Sequence, residues 1–161
     1  MYKIDLGLLL IRIMFGATMM YHGWNKISSG ISGTAKWFAS IGMKWPKLQA
    51  NVAAYSEIGA GLLVAAGFAT GLGATIFIAL MLVAIAIVHA KVGFFIFLPN
   101  GGWEYCGSIA VVATALSLTG PGKYSLDELF NTPGSVFVWA LPVGALLAVC
   151  HLAITYRPQG A

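Results

Sequence analysis

The sequence predicts an all-α integral membrane protein: an antiparallel four-helix transmembrane bundle plus a fifth, C-terminal transmembrane helix. Three observations predict it. Of the 161 residues, 59% are hydrophobic and only 9% charged, with a mean hydropathy of +0.85. A soluble domain carries about 25% charged residues, because it has to clothe its core in polar groups. Five apolar runs approach the roughly 20 residues needed to cross a bilayer. The 20 glycines point the same way, since small residues let membrane helices approach closely.

The first run covers about 6–24. Its charged leader is thin (Lys3 alone), no small-x-small cleavage site follows, and Arg12 interrupts the apolar stretch. These features argue for a retained helix rather than a cleaved signal peptide. The second and third runs, 52–68 and 72–90, are separated only by Ala69-Thr70-Gly71, so they form a tight helical hairpin. The fourth, 105–118, is short. The fifth, 136–154, contains Pro142, which is expected to kink it. Residues 1–132 thus read as the bundle, and 133–161 as the additional helix with a short tail.

Two connections are long enough to have structure of their own. Residues 25–51 carry Lys36, Trp37, Phe38, Lys44, Trp45 and Lys47. This mixture suits a segment lying in the headgroup plane, rings in lipid and ammonium groups outward. The other, GPGKYSLDELFNTPG, breaks the fourth helix at Gly120-Pro121-Gly122 and restarts at Ser125-x-x-Glu128, a capping-box pattern.

The formal net charge is +4, but the nine basic residues are spread over short loops. That suits anchoring at a membrane surface and not a nucleic-acid partner. With five spans, one face holds Lys26, Lys36, Lys44, Lys47, Lys91 and Arg157, and the other Lys3 and Lys123. The positive-inside rule then puts the N-terminus outside and the C-terminus in the cytoplasm. Cys106 and Cys150 form no CxxC, zinc spacing or disulfide framework and read as small buried thiols. No HExxH, CxxCH, Walker loop, GxGxxG or serine elbow is present, so no metal, haem or nucleotide motif is seen. Electrons for any redox chemistry would come from a partner.

Chemistry is expected where ionisable residues meet the helices, since such groups usually face a bundle interior or a water-filled cavity. Antiparallel threading brings His22, Lys26, Glu57, His89, Lys91, Glu104 and His151 toward one membrane face. Asp5, Arg12, Met19 and Lys26, spaced by seven, form one stripe on the first helix. The candidate catalytic residues are Arg12, Glu57, Glu104, Lys26 and His22; Arg12, His22, Lys26 and Glu57 also serve as candidate ligand-binding residues. Each has a plainer alternative. Arg12 and Glu57 could be interhelical hydrogen-bonders, with Gly59 and Gly61 letting a helix approach the carboxylate. Lys26 and His22 could be interfacial, and Glu104 could favour a helix start. By rise per residue Arg12 and Glu57 differ by roughly 12 Å in depth, so a direct pair would need tilt.

Several segments together resemble the DoxX family: LLLIRIMFGATMMYHGWNKI, GTAKWFASIGMKWP, EIGAGLLVAAGFATGLGA, AIAIVHAKVGFF, GGWEYCGSIAVVATALSL and GPGKYSLDELF. The resemblance covers about residues 5–130 and rests on Arg12, Gly16, His22, Gly23, Lys26, Glu57, Gly67, His89, Glu104 and the Gly120-Pro121-Gly122 break. It implies a four-helix membrane bundle in the bacterial inner membrane, similar to the membrane subunit of a thiosulfate:quinone oxidoreductase. On that reading a lipid-soluble quinone is the ligand and other redox subunits are partners. Arg12, Lys26 or His22 would polarise a carbonyl, and Glu57 or Glu104 would relay protons. The alternatives are a non-catalytic anchor for a redox or detoxifying complex and, less attractively, a small transporter.

Overall fold

The computed structural model describes residues 2–133 and 135–157 and is helical throughout, with α1 (Tyr2–Ser28), α2 (Ile31–Ser40), α3 (Pro46–Ala66), α4 (Thr70–Ala84), α5 (Glu104–Thr119), α6 (Leu126–Phe130) and α7 (Ala140–Thr155). A π-helical turn, Ile85–His89, extends α4. The apolar runs named from sequence appear as α1, α3, α4, α5 and α7. Two stretches, Lys3–Ser28 and Thr70–His89, are long and apolar enough to cross a membrane by length and composition, while α5 and α7 are 16 residues each.

Polarity is arranged inside out. Leu6, Leu10, Met14, Leu62, Val111 and Leu146 are exposed on the helices' outer faces, whereas Arg12, Glu57 and Asp127 are buried. Soluble proteins rarely expose so much contiguous apolar surface.

Glycine sets the closest helix contact. A Cβ on Gly16 would lie 2.6 Å from the Gly61 carbonyl oxygen, and one on Gly23 would lie 2.5 Å from that of Ala54. The α1 and α3 backbones therefore touch, as small-residue seams allow between membrane helices. Gly59, grouped with Gly61 in the sequence reading, faces open space instead.

The α3–α4 hairpin is as tight as expected. Gly67 takes the left-handed conformation (φ 63°), and the amides of Gly67 and Phe68 bond back to Val64 and Leu63, closing the helix in a Schellman-type cap. Pro142 does not kink α7. It falls in the first turn, where a missing N–H costs no helical hydrogen bond. The segment after α1 also differs from a sheet of rings in lipid: on α2, Lys36 and Trp37 are exposed, but Phe38 is buried and packs with Ala35, Met43 and Ala50. At that end, Met43 and Tyr156 form an antiparallel bridge that ties the α2–α3 connection to the end of α7.

Candidate functional site

At the end of the bundle where α1 finishes, a cavity of about 440 Å³ opens between α1, α3, α4 and α5. Small-molecule pockets typically span 300–1,000 Å³. Its polar lining comes from His22, Lys26, Glu57, His89, Asn100 and Tyr105, with the Cys106 thiol beside them, and most of the remaining wall is apolar. His22 and Lys26 are four residues apart and so share a face of α1. Gly23, between them, lets α3 approach close enough for the next contact: Lys26 Nζ donates to Glu57 Oε2 at 2.6 Å. Glu57 is 8% exposed, and its Oε1 has no protein partner among the described residues. The Tyr105 hydroxyl lies 3.4 Å from His22 Nε2, and the two rings are 5.9 Å apart.

The π-turn helps to shape this cavity. Its Ala90 N–H bonds to the Ile85 carbonyl at 2.8 Å, and Ile87, Val88 and His89 line the wall. Such turns recur at functional sites. His89 Nδ1 lies 2.7 Å from the Gly101 carbonyl oxygen. A carbonyl only accepts, so Nδ1 carries the proton. Glu104, in the first turn of α5, accepts from the Ile96 N–H at 3.0 Å. Glu104 thus fastens the α4–α5 connection and is absent from the cavity lining. Lys91 is exposed, and His151 lines a different cavity.

Arg12 belongs to the other end. It sits fourteen residues before Lys26 on α1, about 21 Å away at helical rise. Its side chain is fully buried, Nη2 donates to the Tyr124 carbonyl, and Nε and Nη1 have no partner among the described residues. The guanidinium occupies the space a Cβ on Gly67 would need. Asp127 supplies negative charge nearby. Its carboxylate accepts from the Ala69 and Thr70 amides at 2.7 and 2.9 Å and from the Thr70 hydroxyl at 2.6 Å. Its own N–H donates to the Gly67 carbonyl, and Asp5 accepts from the Lys123 amide at 3.0 Å. The helix restart behaves as its capping pattern predicts, with Ser125 Oγ accepting from the Glu128 N–H at 3.1 Å.

The candidates named from sequence therefore separate. Lys26, Glu57 and His22 come together at a cavity; Glu104 and Arg12 serve connections. Tyr105 and Cys106 are cavity residues that sequence reasoning left aside, and Asp127 went unnoticed. The cue for Tyr105 was its place beside Glu104 at a helix start. Asp127 gave none, because its partners lie 57 and 58 residues away.

Among described residues, no group of three or more His, Cys, Asp or Glu side chains is arranged to hold a metal.

Comparison with known proteins gives a consistent answer. The DoxX family profile matches residues 7–90. The chain is 32% identical over 123 residues to a Bacillus subtilis protein described as "Putative oxidoreductase CatD", covering 76% of this chain and 86% of that one. It is 29% identical to Inner membrane protein YqjF of Escherichia coli, covering 79% and 94% of the two chains. Inner membrane protein YphA of the same organism is 34% identical, with 75% and 88% covered. No solved structure matches. With more than half its length on the family profile and near full-length relatives in bacterial inner membranes, the chain belongs to the DoxX family of membrane proteins.

Proposed function

We propose that this chain is a five-span inner-membrane subunit of an oxidoreductase complex whose cavity at the Lys26–Glu57 end binds a quinone. The observation that carries the reading is the cavity itself: an apolar space of about 440 Å³ with a hydrogen-bonded ammonium–carboxylate pair in its wall. A quinone ring needs apolar walls, a donor for its carbonyl oxygen and a route for protons. Lys26 has N–H groups beyond the one given to Glu57, and these can donate to a carbonyl oxygen. Glu57 is placed to hold and release a proton at Oε1, and His22 with Tyr105 offers a path toward the aqueous end. The two electrons for quinone reduction would come from a partner redox subunit. The basic residues at this end put it on the cytoplasmic side, with the N-terminus outside.

The Arg12 end supports a second reading, that of a non-catalytic anchor. There the charge is enclosed by Tyr124, Asp127 and Gly67 and borders neither of the two cavities described.

Titration of a short-tail benzoquinone into the purified protein separates the two readings. Saturable binding is expected, weakened at least about tenfold by Lys26→Met or Glu57→Gln, since hydrogen bonds to charged groups contribute about 1.5–3 kcal/mol. Absence of binding by well-folded wild-type protein would leave the anchor reading standing.

A further inference from the structure

A second cavity, of about 410 Å³, lies between α3, α4 and α7. It adjoins the first, because Phe38, Ala53, Leu80, Val83 and Ile87 line both. On α4 it is bordered by Ile76, Ala79, Leu80, Val83 and Ile87, spaced along one helix face. From Ile76 to Ile87 is eleven residues, about 16 Å at helical rise. The space is therefore long and narrow for its volume, the shape of a hydrocarbon chain.

Its polar groups sit at one end. Gln49 lies in the first turn of α3 and His151 one turn before the end of α7, and the Met43–Tyr156 bridge joins these two helix ends. Gln49 is 6% exposed and lines the cavity, and its carboxamide, which makes no hydrogen bond among the described residues, stays open to that space and is not sealed in the protein. The same holds for the His151 ring. Both side chains are therefore free to hydrogen-bond an occupant of the cavity. Amide and neutral imidazole each both donate and accept, which suits a hydroxyl or carbonyl oxygen. Among the described residues no Asp, Glu, Lys or Arg lines the space, so none of them compensates a charged head.

We propose that this cavity is a binding site for a single-chain apolar molecule with a neutral, oxygen-bearing head. The head is held by Gln49 and His151, and the chain lies along α4 toward Ile76. A glyceride and a chain-bearing quinone share this chemistry. The site is distinct from the one at Lys26 and Glu57 and stands or falls separately.

Cys150 lines the cavity and is exposed, so it reports on occupancy. The purified protein is treated with N-ethylmaleimide, and modification of Cys150 is followed by peptide mass, with monooleoylglycerol or a decyl benzoquinone added. At least one ligand is expected to slow modification, and the one that does identifies the source. Gln49→Leu should weaken that protection about fivefold, the effect of one lost hydrogen bond, and His151→Phe should do the same by the other partner. Lys26→Met should leave protection intact. Protection by neither ligand, or protection unchanged in both Gln49→Leu and His151→Phe, overturns the proposal and leaves the polar end to water.

Discussion

A guanidinium with no exposure to solvent depends on the protein for every acceptor, and among the described residues Arg12 finds one, the Tyr124 carbonyl, with Asp127 as the nearby countercharge. Replacing it by methionine keeps the bulk of the side chain and leaves that carbonyl and the buried carboxylate uncompensated. The expected cost is about 3 kcal/mol, read as a lowered midpoint in denaturant unfolding. The fraction that folds should bind quinone as the wild type does, because Arg12 is remote from Lys26 and Glu57. A loss of binding in folded Arg12→Met protein would mean that the two ends act as one site. The sequence singled out Arg12 because a charge in an apolar run is conspicuous. Its acceptor was not legible, since Tyr124 lies 112 residues away and is engaged through its backbone.

At the scale of helices and connections, the α1–α3 seam is the tightest contact and the most sensitive to bulk. Gly61→Leu should abolish folded protein, because its Cβ would lie 2.7 Å from the Gly16 carbonyl oxygen. Gly59→Leu, on the open face of the same helix, should stay within about 0.5 kcal/mol of wild type. Yield of monodisperse protein in detergent distinguishes them; equal tolerance of both would show that the seam is not closed. The α4–α5 connection is held by His89 on Gly101 and by Glu104 on Ile96. Glu104→Gln should weaken the second hold, and hydrogen exchange at the Ile96 amide should rise severalfold while quinone binding changes little. Unchanged exchange would contradict the role given to Glu104. Element positions were largely legible, since hydropathy alone marked α1, α3, α4, α5 and α7. Face assignments within α3 were not, because Gly59 and Gly61 differ only in what α1 brings to them.

Across the whole molecule the two ends of the bundle differ in kind. One is closed: Asp127 reaches back to the α3–α4 turn, and Arg12 is sealed beneath it. The other is open, with charged and aromatic groups around an apolar cavity. Antiparallel threading predicts seven ionisable residues toward this end; Lys26, Glu57, His22 and His89 line the cavity there, whereas Lys91 and Glu104 do not and His151 lines the second cavity. It could not foretell the cavity, which depends on the π-turn and on how α2 covers the helix ends. The most direct test of a quinone site at that end is photolabelling of the purified protein with an azido-quinone, with labelled peptides mapped by mass. The account predicts label on peptides containing Lys26, Glu57 or Tyr105, removed by excess unlabelled quinone and lost in Glu57→Gln. Label that excess quinone does not displace, or label confined to peptides around Arg12 and Tyr124, would contradict it.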